Sequence, residues 1–144
     1  MNEDAANYRR IPLEVFNEGK VELIDELLAE DFVEHAAPPG WPTNRDSLRQ
    51  FVAMTRSAFP DFRYDILGQW QDGDTHIGYI RGNGTMNGDF MGMPATGKPA
   101  AWDEIHIGRY ANGKLAEHWA VIDMFGMLQQ LGLAPVPGAP GPPG

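Results

Sequence analysis

The 144-residue sequence contains no cysteine. This absence excludes a disulfide framework, a thiolate nucleophile and a zinc site with thiolate ligands. Long apolar runs are also missing, because none approaches the roughly 20 residues that span a bilayer. The first residues carry neither the basic nor the apolar segment of a secretory signal. We therefore expect a cytoplasmic protein that makes no membrane contact.

Basic residues are scarce, with 11 Lys and Arg against 20 Asp and Glu and a net charge of -9. They are scattered along the chain, and only Arg9 and Arg10 are adjacent. Because nucleic-acid binding depends on clustered cations, we expect no nucleic-acid partner. The proportions of hydrophobic residues (42%) and charged residues (22%) are those of an ordinary globular protein. The length suits one domain with a sizeable core.

The hydrophobic pattern changes from helical to strand-like at Pro60. Before it, helical spacing predicts three helices, over residues 8–16, 23–28 and 48–59. Pro12 either interrupts the first helix or marks its first turn. Residues 31–35 lead from the second helix into a loop rich in proline and glycine.

After Pro60, alternating apolar residues predict four strands, over residues 62–66, 75–84, 99–110 and 114–123. A last apolar segment, 124–131, forms a helix or a docked tail. Helices followed by antiparallel strands predict an α+β fold, with the helices packed on one face of a curved sheet. We expect this domain to span residues 1–134. Residues 135–144, which are mostly proline and glycine, are predicted to form a flexible or polyproline-like tail.

Two loop geometries at residues 112–113 give the last hairpin two possible registers. A two-residue turn would set His106 opposite Trp119, whereas a three-residue loop with a bulge would set His106 opposite His118. A one-residue slip moves every side chain to the other face, and only the bulged loop separates polar from apolar residues. We therefore expect one face with Ile105, Ile107, Leu115, Trp119 and Val121, and another with Trp102, Glu104, His106, His118, Ala120 and Ile122.

The second of these faces is predicted to line a pocket under the helices. Histidine titrates near neutral pH, and an adjacent carboxylate or imidazole shifts its pKa. His106, helped by Glu104 or His118, could remove a proton from a carbon between two carbonyls without metal or cofactor. The alternative is structural: a hydrogen-bonded histidine pair, and a Glu104 that bonds a histidine or Arg81. The spacing of histidines and acids matches no metal motif.

The glycine-rich segment GTMNGDFMGMPATGK at 84–98 is similar to the pattern GT..G.f.G.p.TGk of the SnoaL-like polyketide cyclases, and it is one of an ordered set of segments that resemble this family. Shorter matches follow the same order along the chain: FNEGK at 16–20, LLAEDFVEH at 27–35, AFPD at 58–61, GK at 113–114, EHW at 117–119, Asp123 and QQLG at 129–132. The resemblance covers roughly residues 5–133. It implies the cone-shaped α+β fold of the nuclear-transport-factor and scytalone-dehydratase kind, enclosing a pocket and often oligomeric through the sheet.

The resemblance also implies an activity, the closure of a polyketide ring by intramolecular aldol addition. In the best-understood members an aspartate on the final strand is the general base, and a histidine on the preceding strand stabilises the enolate. That histidine matches His106, but the aspartate position holds Ala120. Asp123 matches a second acid that is not the base. Glu104 stands where the family has a pocket glutamine.

Further pocket positions follow from the resemblance and from residue type. Phe16 replaces an aromatic hydroxyl, Phe51 replaces an asparagine, and Met86 replaces the usual histidine after Gly84-Thr85. Residue type adds His35, Trp41 and Trp102 as ligand-contacting side chains, with loop capping or packing as their alternative roles. The expected ligand is a hydrophobic, carbonyl-rich small molecule.

Three functions remain open from the sequence. The first is a cofactor-independent cyclase-type enzyme. The second is a non-catalytic ligand-binding or oligomerisation module of the same fold. The third is a hydrolase or dehydratase, for which an acid paired with Arg81 in the pocket would be the sign. We expect a homodimer or homotetramer formed through the apolar sheet face.

Overall fold

A computed structural model describes residues 2–138 as one mixed sheet with helices packed against it. The helical elements are α1 (Glu3–Arg10), a π-helical continuation (Ile11–Phe16), a 3₁₀ turn (Val21–Leu23), α2 (Ile24–Leu27), α3 (Arg45–Ala58) and α4 (Met124–Gln130). The strands are β1 (Leu28–Glu34), β2 (Arg63–Asp72), β3 (Thr75–Thr85), β4 (Pro99–Ala111) and β5 (Lys114–Ile122). The predicted α+β fold is confirmed. Part of the predicted tail, residues 139–144, lies outside the described residues.

The five strands are ordered β1-β5-β4-β3-β2, with β1 parallel to β5 and every other pair antiparallel. Strand β1 was not predicted, because Leu28 was assigned to a helix and residues 31–35 to the approach to a loop. Its partner lies far along the chain, and Leu28 pairs with Leu115. Such a pairing leaves little local signal, since parallel strands need a long connection. Strand β1 nevertheless supplies part of the candidate site.

Pro12 lies in the first turn of the π-helical segment, which continues directly from α1 after Arg10. Because proline has no N–H, the helix changes at this point to wider π-helical turns, in which the Asn17 N–H donates to the Pro12 carbonyl at 3.1 Å. The helix therefore continues and carries Val15 and Phe16 into the core, where 1% and 5% of their surfaces are exposed.

The register of the last hairpin differs from both predictions. Asn112 and Gly113, at φ values of 53° and 78°, form a two-residue turn of the I′ kind, so the predicted three-residue loop is wrong. A bulge at Ala116 then shifts the pairing, and His106 lies opposite Ala120. The observed register differs from the predicted one by two residues. Because side chains on a strand alternate with a period of two, this shift leaves His106 and His118 on the predicted pocket face.

The bulge also corrects one residue of the outer face. Leu115 precedes the bulge and pairs with Tyr110, and both are buried in the core. The remaining predicted members stay exposed in the single chain: Ile105, Ile107, Trp119 and Val121. Oligomerisation through this face stays a prediction. Among residues 2–138, no helix combines the length and apolar character needed to cross a membrane.

His76 is an unusual member of the core. It is fully buried against the Tyr110 ring, at a centroid distance of 4.9 Å. Neither of its ring nitrogens, nor the Tyr110 hydroxyl, has a hydrogen-bond partner among residues 2–138. Burial lowers the pKa of His76, since a charged imidazole is costly away from water.

We expect His76→Leu to make the protein more tolerant of acid. Unfolded histidine binds a proton below about pH 6.5 while folded His76 resists it, so falling pH favours unfolding of the natural chain. Melting temperatures compared at about pH 8 and about pH 5 measure the effect. The loss on acidification should be smaller in the variant, and equal losses in both proteins would contradict the assignment.

Candidate active site

A cavity lies between the helices and the sheet, and it has an empty volume of about 780 Å³ when the open solvent at its mouth is included. Most of its lining is apolar and comes from Ile11, Pro12, Phe16, Ala36, Ala37, Pro38, Trp41, Leu48, Phe51, Ile80, Ala120 and Ile122. Its polar side chains are Tyr8, Glu34, Ser47, Tyr64, His106 and His118. Such a pocket suits an apolar ligand that presents a few polar atoms.

Strand pairing brings one acid and two histidines together on this wall. Glu34 on β1 is the Cα partner of His118 on β5, and His106 on β4 pairs with Ala120, two residues further along β5. Side chains two apart on a strand share a face. The three polar side chains therefore face the cavity from adjacent strands.

These side chains form a continuous hydrogen-bonded row, which we call the acid–imidazole row: Glu104, His106, His118 and Glu34. Glu104 Oε1 lies 2.7 Å from His106 Nε2. The other ring nitrogen of His106, Nδ1, lies 2.8 Å from His118 Nε2. His118 Nδ1 lies 2.7 Å from Glu34 Oε2. All four imidazole nitrogens are therefore engaged.

The row has a defined number of protons. Each of its three contacts needs one hydrogen, because a nitrogen–nitrogen distance of 2.8 Å would be repulsive between two lone pairs. Two neutral imidazoles supply two protons, so a third must be present. Two carboxylates with one additional proton leave the row with a single net negative charge.

His118 is the neutral member of the pair. Burial lowers its pKa, and the neighbouring His106 adds to this effect, while the hydrogen bond to Glu34 opposes it. A neutral His118 that donates from Nδ1 to Glu34 must accept at Nε2. The third proton is therefore held on the His106–Glu104 side of the row.

Glu104 anchors the row from inside the core. Only 2% of its surface is exposed, and it lines no part of the main cavity. Its carboxylate accepts hydrogen bonds from the Trp102 indole at 2.7 Å and the Tyr64 hydroxyl at 2.9 Å. Burial raises the pKa of Tyr64, and the adjacent Glu104 raises it further, so this hydroxyl remains a donor. Glu104 thus holds His106 from behind, without reaching the ligand space.

Tyr8 supplies a further hydroxyl that the sequence analysis placed only in a helical pattern. Its ring lies against Gly78 of β3, where an added Cβ would lie 1.6 Å from the hydroxyl oxygen. The hydroxyl makes no hydrogen bond to the described part of the chain, and Tyr8 lines the cavity. Burial raises the pKa of Tyr8, and Glu104 contributes. Tyr8 is therefore a protonated donor available to a ligand.

Four of the predicted ligand-contacting residues line the cavity: Phe16, Trp41, Phe51 and Ala120. Trp41 and Phe51 form an edge-to-face pair with centroids 6.4 Å apart. Both rings add apolar surface to the cavity wall.

Three other predicted ligand-contacting residues lie elsewhere. His35 is on the opposite face, where its ring stacks on Trp119 and bonds Glu117 at 2.9 Å, because the strand alternation turns it away from its neighbour Glu34. Trp102 is buried behind the cavity as the donor to Glu104. Met86 is fully buried in the core.

Glu34 is the main site residue that the sequence analysis missed. The match at 27–35 included it without assigning it a role. The available signal was alternation, since Leu28, Phe32 and Glu34 are buried in β1 and an acid at a buried strand position needs a partner. The sign proposed for a hydrolase is not found, because Arg81 pairs with Asp103 at 2.8 Å and both are partly exposed away from the cavity.

The mixed sheet, the covering helices and the polar row in an apolar cavity are those of a cone-shaped α+β domain that encloses a pocket. The SnoaL-like polyketide cyclase family matches residues 6–131, and the chain belongs to this family. It is 27% identical over 124 residues to nogalonic acid methyl ester cyclase of Streptomyces nogalater, covering 81% of this chain and 89% of that protein. It is also 27% identical to aklanonic acid methyl ester cyclase DauD of Streptomyces sp. (strain C5), covering 83% and 76%.

Solved structures agree with this assignment. Wild-type IdmH from Streptomyces antibioticus superposes with a TM-score of 0.79 at 31% identity, covering 91% of this chain and 99% of that one. TsrD from Streptomyces laurentii reaches a TM-score of 0.81 at 23% identity, covering 90% and 97%, and this likeness shows the fold alone.

We expect Glu104→Gln to lower the free energy of unfolding by about 1–3 kcal/mol. Glu104 accepts hydrogen bonds from the Trp102 indole and the Tyr64 hydroxyl and contacts His106 Nε2. The neutral amide has one acceptor oxygen in place of two, and it loses the extra strength that a charged acceptor gives these buried hydrogen bonds. Chemical denaturation at neutral pH measures the loss.

Glu117→Gln is the matched control for this change, because Glu117 also bonds a histidine but is partly exposed. Its loss should stay within about 1 kcal/mol, as for other surface pairs. Equal losses in the two variants would show that Glu104 does not anchor the site.

Proposed function

We propose that this chain is a cofactor-independent, cyclase-type enzyme that closes a ring in a hydrophobic, carbonyl-rich small molecule by aldol chemistry. The acid–imidazole row in the wall of an apolar cavity is the observation that carries the proposal. The names of the two curated relatives, both methyl ester cyclases, support it.

The reaction needs a proton to leave a carbon between two carbonyls, and the resulting enolate to be stabilised. The enolate carbon then attacks a second carbonyl carbon, and the alkoxide formed regains a proton. Nothing is oxidised or reduced, so acid–base groups supply all the chemistry. The site offers donors and a held proton for the enolate, in a cavity that is largely apolar and therefore strengthens electrostatic interactions.

Of the two roles expected for His106, we assign the enolate stabilisation that the resemblance implied and not the removal of the substrate proton. Both of its ring nitrogens are engaged, by Glu104 and by His118. A nitrogen that already donates or accepts in a short contact is poorly placed to accept a substrate proton. We therefore assign to His106, which holds the third proton with Glu104, the electrostatic stabilisation of the enolate. Tyr8 donates the direct hydrogen bond to its oxygen.

The binding-module alternative explains the apolar walls but not the row. Removing two carboxylates from water is costly, and an apolar pocket has no need of them. Retained binding of nogalonic or aklanonic acid methyl ester, without any rate above background in the unmodified chain, would nevertheless favour that alternative. The hydrolase or dehydratase alternative has no supporting observation, since Arg81 bonds Asp103 instead of an acid in the cavity.

His106→Gln should lower the rate of cyclisation of either methyl ester by about 100-fold or more. Glutamine can still donate to Glu104 but carries no titratable proton, so folding should survive. His35→Gln is the control, because His35 lies on the opposite face against Trp119. Product formation by chromatography, with melting temperature as the folding check, measures both. A His106→Gln variant as active as the natural chain would refute the role of the row.

Tyr8→Phe should lower kcat by about 100-fold, the usual effect of removing one oxyanion donor, with a smaller change in KM. The ring remains against Gly78, so packing is preserved. Tyr79→Phe is the matched control, because the Tyr79 hydroxyl bonds Asp103 away from the cavity. Equal effects of the two substitutions on kcat would contradict the donor role.

A further inference from the structure

We infer that the carboxylate of Glu34 is the base that takes the proton from the substrate carbon. This inference rests on the proposed function and names the proton acceptor within it. Glu34 lies on β1. Strand β5 separates β1 from β4, the strand that carries His106.

The cavity exposes five titratable side chains, and four of them are unsuited to accept a proton. Tyr8 and Tyr64 are protonated, because burial raises the pKa of each hydroxyl. His106 and His118 use every ring nitrogen within the row. An imidazole could accept a substrate proton only by first breaking one of these contacts.

Glu34 is the remaining group, and its two oxygens are unequally occupied. Oε1 accepts the Ala36 backbone N–H at 2.9 Å and lies 2.8 Å from His118 Nδ1. Oε2 has a single partner among residues 2–138, His118 Nδ1 at 2.7 Å. Because each carboxylate oxygen can accept two hydrogen bonds, Oε2 retains one free acceptor position. Glu34 also lines the cavity, so a ligand can reach it.

The surroundings of Glu34 hold it in place for this task. The Ala36 N–H fixes one oxygen, and His118, the Cα partner of Glu34 across β1 and β5, fixes the other. The second acid of the row is unsuited, since Glu104 lies behind His106 and outside the cavity. Ala120 also lines the cavity, and its methyl group leaves the wall beside His118 open to a substrate.

The proposed step is balanced within the site. The carbon–hydrogen bond between two carbonyls breaks, and its proton forms an O–H bond at Glu34 Oε2. The electron pair moves onto the carbonyl oxygen as an enolate, so the total charge of site and substrate is unchanged. After the enolate carbon bonds to the second carbonyl carbon, Glu34 returns the proton to the new alkoxide.

The test separates proton removal from ring closure. Aklanonic acid methyl ester and nogalonic acid methyl ester are incubated in deuterated buffer with the full chain. Deuterium uptake at the acidic carbon and product formation are followed together by mass spectrometry, above the buffer rate. Glu34→Gln should lower both rates by about 100-fold or more. Glu117→Gln, which alters a similar Glu–His contact on the opposite face, should leave both rates within about twofold.

A second variant tests whether a carboxylate at another position on the cavity wall can replace the base that is lost in Glu34→Gln. Ala120→Asp, added to Glu34→Gln, supplies a carboxylate to the same cavity wall without the Glu34–His118 contact, and should restore uptake at least about tenfold. A slow Glu34→Gln variant that Ala120→Asp fails to restore would overturn the base role and leave Glu34 as a structural partner.

Two further outcomes are informative. Uptake by Glu34→Gln equal to that of the natural chain would overturn the inference and leave the proposed function standing. No uptake above buffer in the natural chain, with either ester, would overturn the proposed function and the Glu34 assignment together.

Discussion

The burial of two carboxylates in the acid–imidazole row is the constraint on which the rest of the site depends. Each buried carboxylate needs donors, and these come from β2, β4, β5 and the turn that follows β1. Trp102, Tyr64 and His106 satisfy Glu104, while His118 and the Ala36 N–H satisfy the acid on β1. A one-residue slip in β5 would move His118 to the outer face and leave both ends incomplete. The acid–imidazole row can therefore form only in the observed register of β5.

The hydrophobic periodicity of the sequence was sufficient to predict the elements whose apolar residues repeat at helical or strand spacing. Helix α3 and the antiparallel strands β2 to β5 follow from periodicity, and so does the face on which His106 lies. That face was correct although the predicted register was two residues off, because side-chain direction depends only on whether the shift is odd or even. The bulge at Ala116 has no signal of its own in the sequence. The bulge lies between the register set by the two-residue turn and the register in which the rest of β4 and β5 pair.

The parts that could not be predicted depend on contacts between distant segments. Strand β1 becomes a strand through its parallel pairing with β5, and Glu34 becomes a site residue through that same pairing. The resemblance supplied His106, Phe16 and Phe51 by position, but it could not show that Glu104 lies behind His106. Residue type alone suggested that His35 lies in the pocket. The face on which its side chain lies is instead set by the alternation of side chains along the chain at β1, which places it opposite to Glu34. Tyr8 reaches the cavity because a glycine lies opposite it.

The three protons of the acid–imidazole row bear on whether the site must exchange protons with the solvent. A row with a carboxylate at each end can shift every hydrogen by one position, and shift it back, without changing its net charge. Ring closure by aldol addition likewise neither consumes nor releases a proton. In the proposed reaction, a substrate that fills the mouth of the cavity therefore needs no proton from the solvent. Solvent is needed only to let the ligand in and out.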